Sequence, residues 1–172
     1  MSPFPIAALV YSTEINPAPV LGEVVRVLQA RGVALAGAVQ HDAGPREMCG
    51  MELEVLPGGA RLPMSQELGA GSHACRLDPA ALAEAAAQVR RAIDAGAALT
   101  VFNKFGAQEV NGEGLRDEMA AAVLAGVPLL TAVAERFVGQ WTEFTGGEAE
   151  ALPCTAEAAL AWWARLQGET PG

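Results

Sequence analysis

Short apolar runs alternate with amphipathic stretches along most of the chain, and this alternation constrains the fold more than any other feature. Residues 6–11 form a continuous apolar run, which is typical of a strand buried on both faces. A helical stretch follows that Gly32 would end, and residues 33–40 resemble the first strand. The apolar face of this helix consists of Val20, Leu21, Val24, Val25 and Leu28. The pattern predicts a parallel, right-handed strand-helix-strand unit.

The same alternation returns in the second half of the chain. Asp78-Pro79 combines an N-capping side chain with proline at the first helical position, so it predicts a helix that ends at Gly96. Buried strands are predicted at residues 99–103 and 128–133, with a helix between them whose buried face is Leu115, Met119 and Val123. Further helices are predicted at about 135–145 and 155–167. Together these elements predict a three-layer α/β fold with a mainly parallel sheet.

The middle of the chain, at about residues 41–78, differs from both halves. It is rich in glycine and proline and has little helical periodicity. Apolar and acidic residues alternate at 51–56 before Pro57-Gly58-Gly59, a sequence typical of a hairpin turn. We therefore predict a β-hairpin inserted between the two halves of one α/β domain that spans residues 1–172.

Charge and hydropathy exclude several functional classes. The 172 residues carry a net charge of -9, which is the wrong sign for a surface that binds nucleic acid or an anionic membrane. No apolar run reaches the roughly 18 residues of a membrane span, and no basic segment precedes a signal-type apolar stretch. We expect a cytoplasmic protein that binds neither nucleic acid nor membranes.

The cysteines and histidines match no metal-binding pattern. The three cysteines, Cys49, Cys75 and Cys154, are far apart and include no Cys-x-x-Cys pair. His73 with Cys75, or His41 with Asp42 and Cys49, could in principle hold a metal ion, but neither spacing is that of a zinc site. We expect free thiols and no metal site.

The loop after the first predicted strand lacks a phosphate-binding motif. Such a loop has the pattern Gly-x-x-x-x-Gly-Lys-Ser/Thr, in which backbone amides and the lysine surround the phosphates. Here Pro17 and Pro19 remove amide donors, and Glu14 adds a charge that repels phosphate. The sequence therefore argues against ordinary ATP or GTP hydrolysis.

The strongest candidate site follows the predicted strand at residues 99–103. Asn103 and Lys104, the only lysine of the chain, lie at the strand end, where ligands bind in open parallel sheets. Arg116 lies in the first turn of the next helix. A cation, an amide and a helix N-terminus at one edge would suit an oxyanion. In the alternative interpretation, Lys104 is a solvated residue paired with an acidic neighbour.

A second candidate segment is glycine-rich and precedes the helix that begins near Pro79. Ser72, Cys75 and Arg76 offer hydrogen-bond donors there, and a nearby arginine and helix start could make the thiol reactive. The structural alternative is a capped loop with Cys75 packed in the core. If the inserted hairpin folds over the sheet edge, Arg76 joins Lys104 and Arg116 in binding a tetrahedral oxyanion or a phosphate-bearing ligand.

Several motifs give the chain a resemblance to the bacterial family known as domain of unknown function 2478. The main ones are Asn103-Lys104-Phe105-Gly106-x-x-Glu109, Gly112-x-Gly114-Leu115-Arg116 and Trp141-Thr142-Glu143-Phe144. The order of elements is also similar to that of THEP-type nucleoside triphosphatases. These enzymes have an acidic magnesium-binding motif where this chain has Asn103-Lys104. The resemblance therefore implies a degenerate P-loop NTPase-like fold, and a link to molybdenum metabolism that suggests molybdate as the anion.

These observations lead to one leading hypothesis and two alternatives. The first is a non-hydrolytic accessory protein that binds a small anion, such as molybdate, or a nucleotide. The second is a nucleoside phosphate hydrolase with an atypical site. The third is a dimeric interaction module, since Trp141, Trp162 and Trp163 could supply apolar surface for a homo-oligomer.

Overall fold

The computed structural model describes residues 4–42, 51–66, 75–76 and 79–168. The strands in these ranges are β1 (Ile6–Tyr11), β2 (Leu35–Asp42), β3 (Met51–Leu56), β4 (Ala60–Gln66), β5 (Cys75–Arg76), β6 (Leu99–Phe102), β7 (Leu129–Ala134) and β8 (Glu150–Pro153). The helices are α1 (Ala18–Ala30), α2 (Pro79–Asp94), α3 (Ala107–Val110), α4 (Arg116–Leu124), α5 (Val138–Thr145) and α6 (Ala156–Leu166). A 3-10 turn, Glu135–Phe137, precedes α5. No helix in these ranges is both long and apolar enough to cross a membrane.

The strands form one mixed sheet in the order β5-β4-β3-β2-β6-β7-β1-β8. Five strands, from β2 to β8 in that order, are parallel. The predicted hairpin is confirmed as β3 and β4, joined at Pro57–Gly59. It does not fold over the sheet edge, because β3 pairs antiparallel with β2 and extends the sheet sideways. The predicted unit of β1, α1 and β2 is parallel, but β6 and β7 lie between its two strands.

Helices cover both faces of the sheet, which confirms the three-layer α/β prediction. Alternate residues of each central strand face opposite sides, as the period of two requires. Ala7 and Leu9 of β1 pack in the cluster that contains α1 and α6, whereas Ile6 and Ala8 pack in the cluster with α2, α4 and α5. All of these residues are buried, as in a sheet covered on both sides.

The C-terminal part of the chain differs from the prediction in its strand and its tryptophans. Strand β8 was not predicted, because it is a short edge strand that ends at Pro153. Trp141, Trp162 and Trp163 are all buried in the chain's own core, and the indole N–H of Trp162 donates to the Phe4 carbonyl oxygen at 3.0 Å. The tryptophans therefore do not provide the apolar surface on which the dimer hypothesis was based.

The buried face of α4 is also displaced from the predicted one. Leu115 and Met119 are buried as expected, but Val123 is 38% exposed and Ala122 is buried instead. Glu118 shares this buried face, where its carboxylate accepts a hydrogen bond from Arg90 Nε of α2 at 3.2 Å. This ion pair joins α2 to α4, so the apolar spacing alone did not identify the buried side of the helix.

Candidate functional site

The candidate site lies at the carboxyl edge of the parallel strands, where two neighbouring connections diverge. Strand β1 leads to α1 on one face of the sheet, while the adjacent β7 leads to α5 on the other face. In open α/β sheets this divergence opens a crevice in which ligands bind. Strand β6 lies next to β7, and β2 lies next to β6; both are parallel to β7 and end at the same edge.

A small cavity occupies this edge and is here called the Lys104 cavity. Its volume is about 50 Å³. That is enough for a few water molecules or one small tetrahedral anion, and well below the roughly 300 Å³ at which pockets for larger organic ligands begin. Its lining comes from β1, β2, β6 and the loop before α1, and consists of Tyr11, Asn16, Pro17, Ala18, Gln40, Asn103 and Lys104.

The amide side chains at this edge connect β6 with β2. Asn103 Nδ2 donates a hydrogen bond to Gln40 Oε1 at 3.2 Å, and the Asn103 backbone N–H donates to the Ala38 carbonyl oxygen at 2.8 Å. The backbone N–H of Phe105 donates to Ala132 of β7 at 2.9 Å. The segment that carries Lys104 is therefore held to both neighbouring strands.

Lys104 lines this cavity and is exposed to solvent. Its aliphatic stem passes over Gly106, where a Cβ atom would meet Lys104 Cδ at 3.4 Å. Among the described residues, no carboxylate oxygen lies within 4.0 Å of its ammonium nitrogen, so no ion pair of that length neutralises it there. Its longer-range electrostatic partner is the buried carboxylate of Glu109.

Glu109 organises the loop that follows β6. Its Oε1 accepts a hydrogen bond from the Gly106 backbone N–H at 2.9 Å, and its Oε2 accepts one from the Leu115 backbone N–H at 3.3 Å. The absence of a side chain at Gly114 leaves room for this carboxylate, since a Cβ there would overlap Glu109 Oε2. One buried side chain thus holds both ends of the segment between β6 and α4.

The titration of Glu109 gives a testable pH dependence. Burial raises the pKa of the Glu109 carboxyl group, and this effect outweighs the opposing hydrogen bonds from Gly106 and Leu115 and the charge of Lys104. The pKa of Glu109 is then higher in the folded state than in the unfolded state. The resulting contribution to the free energy of unfolding is fully present below the unfolded pKa and is lost as pH rises through the folded pKa. Lowering the pH from about 7 to about 5 should therefore stabilise wild type relative to Glu109→Gln.

Urea unfolding of both proteins across this pH range measures the difference. Glu109→Gln should also be less stable at each pH, because its amide NH₂ would face a backbone N–H that now donates to a carboxylate oxygen. Glu148→Gln, at an exposed position, is the surface control. The raised pKa would be contradicted if the difference in free energy of unfolding between wild type and Glu109→Gln stayed constant with pH. It would also be contradicted if Glu109→Gln became the relatively more stable protein at low pH.

Tyr11 and Arg136 add polar groups at the ends of β1 and β7. Burial raises the pKa of the Tyr11 hydroxyl, and the positive charge of Arg136 opposes this rise. Arg136 lies in the 3-10 turn directly after β7, and its guanidinium carbon is 4.8 Å from the Phe137 ring centroid. Cys154 follows β8 nearby, and burial raises the pKa of its thiol, which disfavours a reactive thiolate.

The N-terminus of α1 contributes few free donors to the cavity. Asn16 Oδ1 accepts the backbone N–H of Ala18 at 3.1 Å, and Pro19 has no N–H. An anion in the cavity would therefore depend on side chains more than on helix amides. This arrangement is the opposite of a phosphate loop, in which backbone N–H groups dominate.

The structure places the predicted site residues in three regions. Asn103 and Lys104 lie together at the Lys104 cavity. Arg116 begins α4 as predicted, but it lines a different cavity, and its guanidinium carbon is 5.4 Å from the Phe144 ring centroid. Cys75 and Arg76 form β5, which is the outermost strand at one side of the sheet, with three strands between it and β6. Ser72 lies outside the described residues.

Neither candidate metal group lies wholly within the described residues. Nε2 of His41 lies 2.6 Å from Glu54 Oε1 on β3, so this ring is engaged with a carboxylate. Cys49 and His73 lie outside the described residues.

The sequence analysis missed several residues that line or support the site. They are Tyr11, Asn16, Gln40, Glu109 and Arg136. Three of them occupy positions that can be recognised in the sequence: Tyr11 ends a strand, Asn16 precedes a proline, and Arg136 is the second residue after a strand. Gln40 and Glu109 act through partners that only the strand order and the loop conformation bring close.

One known relative is similar over nearly the whole chain. It is the molybdenum import ATP-binding protein ModC 2 of Bradyrhizobium diazoefficiens, which is 38% identical over 165 residues. The match covers 95% of this chain but only 18% of that protein, so the chain spans less than a fifth of this relative's length. No solved structure matches the chain significantly.

The family comparison agrees with the motifs around Lys104 and Glu109. The family model described as "Protein of unknown function (DUF2478)" matches residues 6–162, from the start of β1 to near the end of α6. Both the carboxyl-edge cavity and the Glu109 loop fall inside this match. The chain therefore belongs to the DUF2478 family.

Proposed function

We propose that this protein is a non-hydrolytic accessory protein that binds a tetrahedral oxyanion, with molybdate as the leading candidate, in the Lys104 cavity. Lys104 supplies the charge, and Asn103 and Tyr11 supply polar groups at the rim. Arg136 adds positive potential from the end of β7. The ligand would lie at the divergence of β1 and β7, the usual position for ligands in this class of sheet.

One observation carries this proposal: the only lysine of the chain lies at a small polar cavity, with no carboxylate of the described residues within 4.0 Å of its ammonium nitrogen. In a protein of net charge -9, an anion approaches only where the local potential is positive. Lys104 can supply such a potential at the carboxyl edge.

The lining of the cavity favours binding over hydrolysis. Hydrolysis of a nucleoside triphosphate requires phosphate-binding amides and carboxylates that hold magnesium. Among the described residues, none that lines the Lys104 cavity carries a carboxylate, and the helix N-terminus beside it is short of free N–H groups. The hydrolase alternative therefore lacks the groups that it needs at this edge.

The similarity to a molybdenum import protein supports the choice of oxyanion. In neutral water molybdenum is available as the tetrahedral dianion molybdate. The shared sequence is only 18% of the import protein and has no phosphate loop after its first strand. A role with the transported oxyanion thus fits this segment better than a role with ATP.

Titration calorimetry tests the proposal directly. Molybdate, tungstate, sulfate and phosphate are titrated into the full chain at low ionic strength, where charge attraction is least screened. We expect saturable binding of at least molybdate, and weaker binding as salt is added. The absence of heat for all four anions, together with no shift in melting temperature, would overturn the proposal.

A second prediction concerns turnover. With magnesium present, we expect the protein to release no phosphate from ATP or GTP above a no-protein control, because the required carboxylates and amides are absent from the cavity lining. A colorimetric phosphate assay measures this. Magnesium-dependent release that disappears in Lys104→Ala would instead establish the hydrolase alternative.

A further inference from the structure

A second cavity adjoins the Lys104 cavity along the first turns of α1, and is here called the α1 cavity. Its volume is about 290 Å³. Its lining consists of residues of α1 and β2: Ala18, Pro19, Gly22, Glu23, Arg26, Gln40 and His41. Ala18 and Gln40 line both cavities, so the two spaces are neighbours at the carboxyl edge of β2.

Gly22 opens this cavity. It lies inside α1, where glycine lowers helix stability relative to alanine because its backbone loses more conformational freedom. A Cβ at this position would point toward His41, with His41 Cε1 at 3.7 Å as the nearest atom. A longer side chain at residue 22 would therefore fill the space between α1 and the end of β2.

The chemical character of the α1 cavity differs from that of the Lys104 cavity. The basic side chains that line it have acidic neighbours, since His41 Nε2 lies 2.6 Å from Glu54 Oε1 and Arg26 lies 3.9 Å from Glu23. Ala18, Pro19 and Gly22 give one wall a largely apolar surface, and Gln40 and His41 give the other wall polar edges. Such a space suits an uncharged, flat, hydrogen-bonding group rather than a second anion.

We propose that the protein also binds a mononucleotide, with its nucleoside in the α1 cavity and its phosphate in the Lys104 cavity, where the phosphate excludes the free oxyanion. This inference rests on the proposed function, because both ligands use Lys104. The α1 cavity is close to the roughly 300 Å³ at which pockets for organic ligands begin, whereas the Lys104 cavity holds only the anionic group. Nucleotide and oxyanion would then compete.

Calorimetry with four proteins tests the competition. AMP, GMP, inorganic phosphate and molybdate are titrated into wild type, Gly22→Leu, Gln29→Leu and Lys104→Ala. Gly22→Leu fills the α1 cavity while replacing glycine by a better helix former, and Gln29→Leu adds the same side chain at an exposed position of α1 outside the cavity. Gly22→Ala, which adds only a Cβ in ordinary contact with His41, checks that substitution at this position is tolerated.

We expect wild type and Gln29→Leu to bind AMP or GMP about tenfold or more tightly than phosphate, and saturating nucleotide to raise the apparent Kd for molybdate. Gly22→Leu should lose the nucleotide advantage and keep its molybdate affinity, while Lys104→Ala should weaken both. Equal affinity for nucleotide and phosphate in wild type, or unchanged nucleotide binding in Gly22→Leu, would overturn this inference alone. Absence of binding for every one of the four oxyanions in wild type would instead overturn the proposed function.

Discussion

Replacing Lys104 by alanine should weaken molybdate binding about ten- to a hundredfold. A hydrogen bond from a charged donor to an anion contributes about 1.5–3 kcal/mol, which corresponds to this range in Kd. The loss should be large because, within the described part of the chain, Lys104 is the only cation that lines the cavity. Lys104→Arg should recover part of the affinity, since the charge returns with a different donor geometry. Titration calorimetry at constant low salt gives each Kd.

Arg116→Ala is the matched control for this experiment. It removes one positive charge from the next helix, as Lys104→Ala does from the strand end, but Arg116 lies over Phe144 in a different cavity. The affinity for molybdate should therefore stay within about twofold of wild type, the change expected from a screened, distant charge. An equal loss in both variants would mean that only net charge matters, and an unchanged Kd in Lys104→Ala would remove this cavity from the proposal.

The fold was predictable where burial leaves a strong pattern. Strands β1, β6 and β7 are largely buried, so their sequences are mostly apolar, although β6 and β7 each include one buried threonine, Thr100 and Thr131. Helix α1 buries Leu21, Val24, Val25 and Leu28, the spacing that identified it. Strand β8 was missed because a short edge strand has no such run. The strand order was also not predictable, because periodicity shows that β2 is a buried strand but not that it pairs with β6.

The site was predictable only in part, and for a related reason. Lys104 was identified because it directly follows a buried strand, and a strand end can be located from sequence alone. Gln40 and Arg136 join the site through the order β2-β6-β7-β1, which depends on long-range pairing. Arg116 was placed in the correct turn of its helix, but the side chain lies against Phe144 because an aromatic ring on α5 attracts the guanidinium.

Hydrogen bonds near the carboxyl edge make the position of Lys104 depend on the pairing of β2 with β6. Gly37 of β2 lies opposite Val101 of β6, three residues before Lys104 on the same segment. The Asn103 to Gln40 and Asn103 to Ala38 hydrogen bonds extend this pairing to the cavity. A change that separates these two strands should therefore affect stability and oxyanion binding together.

Gly37→Ala should lower the free energy of unfolding by about 2–5 kcal/mol. Gly37 has a φ of +121°, and a Cβ there would overlap the backbone carbonyl oxygen of Val101, which cannot move without disrupting the pairing. Backbone strain contributes about 1–2 kcal/mol and overpacking about 1–3 kcal/mol. Gly32→Ala is the control, because Gly32 has a φ of +79° and nothing within 4 Å of its added Cβ, so it should lose only about 1 kcal/mol. Urea unfolding compares the two variants, and an equal loss in both would mean that the close approach of β2 and β6 is not what requires glycine at residue 37.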